Sequence, residues 1–70
     1  MDWVTDTTGR RHTCRAGDYQ AMIWRASTGE WIAMISRAHA AVAHTRCLGL
    51  TEAQAWCEAQ LAELTKQQNT

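Results

Sequence analysis

The sequence predicts an α+β fold, a three- to five-stranded antiparallel meander with one C-terminal α-helix packed on one face. Three observations carry this. Tyr19 to Arg37 (YQAMIWRASTGEWIAMISR) holds two runs of aromatic, β-branched, Met and Ala residues separated by Ser27-Thr28-Gly29, which is hairpin patterning. His39 to Cys47 (HAAVAHTRC) follows a turn at Ala38-His39 and supplies a third strand. Thr51 to Gln68 (TEAQAWCEAQLAELTKQQ) is dense in Ala, Glu, Gln and Leu, the composition of a helix.

The central hairpin fixes its own register. A three-residue connection ending in Gly suits a turn closed by a left-handed residue, because Gly takes positive φ without a Cβ clash. Ala26 then faces Glu30, Trp24 faces Ile32 and Met22 faces Met34. The alternate set pairs Arg25 with Trp31, Ile23 with Ala33, Ala21 with Ile35 and Tyr19 with Arg37. Side chains alternate across a strand, so one face carries Met22, Trp24, Ile32 and Met34. The other carries Tyr19, Ala21, Ile23, Trp31, Ala33 and Ile35. A sheet with one wet face should be polar there, and neither face is.

Upstream, Asp2 to Asp6 reads as a short strand, Thr7-Thr8-Gly9 as a turn and Arg10 to Arg15 as the return strand of an edge hairpin, or else the segment is an arm. Ala16-Gly17-Asp18 connects it to the sheet. A tight turn at Arg37-Ala38 sets Ile35 opposite Ala40, Ala33 opposite Val42 and Trp31 opposite His44. It also sets Met34 opposite Ala41 and Ile32 opposite Ala43, which leaves room for a helix over the Met22/Trp24/Ile32/Met34 face. Thr51 is the expected N-cap, with Glu52 at the positive end of the helix dipole. Ala53, Trp56, Cys57, Leu61 and Leu64 fall on one side of the helix. The domain plan is one small unit over residues 1–70: edge hairpin or arm 1–18, sheet 19–47, helix 51–68.

Seventy residues build only a small core, and such chains lean on oligomerisation, metals or disulfides. Three cysteines cannot all pair within the chain, which fits a reducing cytoplasm better than a secreted scaffold. No run of the sequence is apolar enough for a signal peptide or membrane span. Net charge is zero; residues 1–50 carry six Arg and four acids, +2, and residues 51–70 carry one Lys and three Glu, −2. A dedicated nucleic-acid binder is usually more basic.

Chemical constellations are sparse. His12-Thr13-Cys14 and His44-Thr45-Arg46-Cys47 form an HxC…HxxC set, but its spacing fits no standard zinc site. Cys47 and His44, three apart on a strand, point to opposite faces, which argues against a nucleophile–base pair. The four glycines are too scattered for a phosphate-cradling loop. The expected protein is therefore not an enzyme and needs no cofactor or metal.

With the helix over the Met/Trp face, the face left over carries Tyr19, Ile23, Arg25, Trp31, Ile35, Arg37, His44 and Arg46. These are the candidate binding residues. Ala21 and Ala33 would also admit a helix closely, and the face left over would then be the Met/Trp/Ile one. Tyr, Trp and Arg are favoured at interfaces, and contiguous apolar surface marks contact sites. Three occupants compete: the amino-terminal segment folded back with Trp3 and Val4, a second copy or protein partner, and a nucleic acid stacked on the aromatics with its phosphates on Arg.

The layout of three strands and a helix opening Thr51-Glu52-Ala53-Gln54-Ala55-Trp56 resembles the small arm-type DNA-binding domains of phage and transposon integrases, over residues 19 to about 64. The resemblance implies a sheet face that enters the DNA major groove, a role that falls on Arg25, Arg37 and Arg46, and a phage or mobile-element origin. The chain departs from that family in its neutral charge, and in Ile23, Trp31 and Ile35 standing where polar base readers belong. The expected function is thus a small non-enzymatic interaction module that self-associates or binds a protein through the sheet face, a phage inhibitor or regulator for instance, with DNA or RNA binding as the alternative.

Overall fold

A computed structural model describes residues 2–68. Five strands run in chain order, β1 (Val4–Thr5), β2 (Arg11–Ala16), β3 (Tyr19–Arg25), β4 (Trp31–Arg37) and β5 (Ala40–Cys47), followed by helix α1 (Leu50–Gln68). All strand pairs are antiparallel and sequential neighbours are adjacent, giving a single meander sheet of order β1-β2-β3-β4-β5. The α+β class holds, with five strands. The amino-terminal segment is the edge hairpin, not a free arm: Val4 pairs with Thr13 and Thr5 with His12.

The β3–β4 hairpin has the expected register at every pair, from Tyr19 with Arg37 to Arg25 with Trp31. Its connection closes through Ala26 N–H to Glu30 O at 2.8 Å and Gly29 N–H to Ala26 O at 2.9 Å. Gly29 sits at φ 92°, a region that a Cβ would disfavour.

The β4–β5 register differs from expectation. The turn residues are Ala38 and His39, both left-handed (φ 52° and 66°), so Arg37 pairs with Ala40 and Ser36 with Ala41. A bulge at Val42 then moves Ile35 opposite Ala43 and Met34 opposite His44. Ile35 thus meets Ala43 instead of Ala40, a shift of three: the later turn contributes two and the bulge one. A shift of two preserves the face of each side chain and a shift of one reverses it.

The helix lies on the other face from the one expected. The core is Cys14, Tyr19, Ala21, Ile23, Ala33, Ile35 and Cys47 from the sheet, closed by Ala53, Cys57 and Leu61 from α1. Ala21, Ala33 and Ala53 are completely buried. Their small side chains let helix and sheet backbones approach closely, which the bulky Met22/Trp24/Ile32/Met34 face cannot offer. Trp56, Leu64 and Leu50 pack around this seam. Gly49, not Thr51, holds the capping position: its carbonyl accepts from Ala53 N–H at 3.1 Å, and Glu52 reaches back to Leu48 N–H at 3.3 Å, a variant of the capping box.

Candidate binding face

The eight candidate binding residues are divided by this packing. Tyr19, Ile23 and Ile35 are buried under α1 and are unavailable to a partner. Trp31 packs against the core, where its ring also meets the imidazole of His12 at 5.9 Å. Arg25 and Arg37 emerge at opposite ends of the same covered face. Arg25 lies over the Trp31 ring at 5.9 Å and Arg37 over Tyr19 at 5.6 Å. Arg37 also lies 3.9 Å from Asp18, an exposed pair that contributes little. His44 and Arg46 stand on the other side of the sheet, because the bulge reverses the parity of β5.

That other side is the face left free. Its rows read across the strands. One row is Arg11, Trp24, Ile32, Arg46, and the next is Val4, Thr13, Met22, Met34, His44. A third runs Arg15, Gln20, Ser36, Ala41, tied by Ser36 Oγ donating to Gln20 O at 3.5 Å. The centre is therefore a block of Met22, Trp24, Ile32 and Met34, and the rim carries Arg11, Arg15 and Arg46. The four apolar side chains shield one another only in part. Glu30 stands at the end of this face, 4.0 Å from Arg46. The acids Glu52, Glu58 and Glu63 are exposed on the helix layer behind. The free face thus carries three Arg and one acid, whereas on the helix side the three glutamates are matched by Arg25, Arg37 and Lys66. Comparison with protein-family models, with curated proteins and with solved structures finds no match for this chain.

The amino-terminal segment does not cover the free face. Trp3 packs on the helix side, with its indole N–H donating to Glu58 Oε2 at 3.0 Å. Val4 does point to the free side but is 64% exposed.

The histidine–cysteine set is not assembled. His12 and Cys14 are buried beneath the helix side while His44 is exposed on the far face. Among the described residues no group of three or more His, Cys, Asp or Glu could hold a metal ion. His12 Nδ1 lies 2.9 Å from Thr5 Oγ1, and its buried Nε2 has no partner. Burial pushes the Cys14, Cys47 and Cys57 thiols up, Cys57 to about 12. Thiols held neutral are poor nucleophiles and poor metal ligands. They serve as small apolar residues of the core. Among the described residues no helix is long and apolar enough to cross a membrane.

Proposed function

We propose that this chain is a non-enzymatic interaction module of a reducing compartment such as the cytoplasm, and that it self-associates through the helix-free sheet face. The observation that carries the reading is the contiguous Met22/Trp24/Ile32/Met34 block at the centre of a sheet whose other face is filled. Trp and Met are enriched at protein interfaces, and a central apolar block with a charged rim is how such interfaces are built. A two-fold axis lying across the strands, between the Trp24/Ile32 row and the Met22/Met34 row, sets Trp24 over the second copy's Met22. It also keeps Arg11 away from Arg46 of the other copy.

Sedimentation velocity across the micromolar range tests this. A concentration-dependent dimer is expected, converted to monomer by Trp24→Ala or Ile32→Ala with the fold retained. A wild-type chain that stays monomeric throughout sinks the self-association reading.

One observation favours a second reading, single-stranded nucleic acid on the same face. Arg11 and Arg46 flank Trp24 and Ile32 in one row, and the three glutamates of the helix lie on the opposite layer. A base stacked on Trp24 with phosphates at the two Arg would give salt-sensitive binding. Its salt slope should fall on Arg11→Gln, and binding that ignores salt removes this reading.

A further inference from the structure

We infer that the cleft between the β1–β2 and β3–β4 turns is an anion site that takes a phosphomonoester. This stands apart from the sheet-face reading and survives its failure. The two turns rise at the same end of the sheet, because β2 and β3 are neighbours. Between them lies a cleft of about 620 Å³ walled by Thr8, Gly9, Arg10, Arg25, Ser27 and Trp31.

Two arginines, Arg10 and Arg25, line this space and no acidic residue does. Among the described residues the ion pairs are Arg37 with Asp18 and Arg46 with Glu30, which leaves Arg10 and Arg25 without an acidic partner. Arg25 is nonetheless held. Its guanidinium rests over the Trp31 ring, 5.9 Å from the centroid, and its Nη2 lies 3.9 Å from where a Cβ on Gly29 would stand. Cation–π contact orients the planar group without consuming its N–H donors.

The acid of the β1–β2 turn is accounted for. Asp6 Oδ1 accepts from the Thr8 hydroxyl at 2.9 Å and from the Arg10 and Arg11 amides at 3.2 and 3.4 Å. These donors, the Thr8 hydroxyl foremost, hold its carboxyl below the usual range, and it does not line the cleft. Its charge fixes the turn that carries Arg10. The Ser27 hydroxyl adds a neutral donor on the opposite wall.

Two uncompensated guanidinium groups match a group with about two negative charges, which a phosphomonoester carries near neutral pH. Arg forks bind phosphate oxygens in pairs. A phosphodiester brings one charge and fits less well.

Indole N–H signals in a nitrogen–proton correlation spectrum test the site. The chain has four tryptophans, and Trp31→Phe identifies the signal of Trp31. Titration with methyl phosphate in its dianionic form, at constant ionic strength, should shift that signal saturably. Dimethyl phosphate should leave it nearly still. Arg10→Gln and Arg25→Gln should each weaken the response on the order of ten-fold, the scale of one lost charge-assisted contact. Arg37→Gln, at the other end of the sheet, should change nothing. The remaining indole signals report whether each variant is folded. If a variant unfolds, the monoester–diester contrast in the wild-type chain decides. A response that fails to saturate, equal binding of the diester, or indifference to both Arg10 and Arg25 overturns the site.

Discussion

Trp3 donates its indole N–H to Glu58 Oε2 at 3.0 Å across 55 positions of sequence. The bond joins the start of the chain to the middle of α1. Strand β1 has only two residues and two pairing partners, so it depends on this bond and on the packing of the Trp3 ring against the core.

Trp3→Phe should therefore cost about 1 kcal/mol, the net value of one hydrogen bond. Trp3→Ala should cost about 2–3 kcal/mol, since a partly buried aromatic is removed as well. Urea unfolding with an unchanged m-value measures both. Equal stability of Trp3→Ala and wild type would show that β1 is not anchored.

The two sheet faces should respond oppositely to the same truncation. Ile23 is fully buried under the helix, and Ile23→Ala should cost about 2–5 kcal/mol. Ile32 lies on the free face, and Ile32→Ala should cost less than about 1 kcal/mol in the monomer while weakening association. Parallel unfolding and sedimentation of the two variants reads this out; the reverse order would mean that the helix covers the other face.

Ala38 and His39 both occupy left-handed backbone, which is unfavourable for any residue with a Cβ and most tolerable for Asn and Gly. This is the backbone of a two-residue hairpin turn that favours Asn-Gly. Replacing Ala38→Asn together with His39→Gly should add about 1–2 kcal/mol, seen as a higher Tm. An unchanged or lower Tm would mean that the turn relaxes differently.

The thiols predict an alkaline weakness. Cys57 is neutral in the folded chain up to about 12, whereas an unfolded Cys ionises near 8.5. A raised folded pKa means that its contribution is intact below about 8.5 and lost as pH rises toward 12. Stability should fall over that window by at most about 1.4 kcal/mol per pH unit from this group, and Cys57→Ala should flatten the slope. All three thiols are free and buried, so a thiol reagent at pH 8 should label them only after unfolding. Fast labelling of Cys57 in the native chain would contradict the packing.

Much of the fold is legible in the residues. Alternation in Tyr19–Arg37 and the placement of Gly29 set the hairpin to the residue, because local geometry alone decides it. The helix and its buried side follow from Ala53, Cys57 and Leu61 at turn-by-turn spacing. Two features were hidden. The bulge at Val42 has no local signature, since Ala40, Ala41 and Ala43 around it have little side chain to prefer one face. The face chosen by α1 depended on comparing two apolar faces, and it is settled by Ala21 and Ala33, which admit the helix closely. Those two facts move His44 and Arg46 away from Trp31 and expose Trp24. The cleft at Arg10 and Arg25 joins residues from separate hairpins, so no single stretch of the sequence displays it.

The bulge has a further consequence. Sheets grow by recruiting strands at their borders, and here both borders are spoiled. One is a strand of two residues, and the other is interrupted at Val42. Lateral pairing between copies meets a border only two residues long on one side and a kinked one on the other, which disfavours growth along the sheet direction.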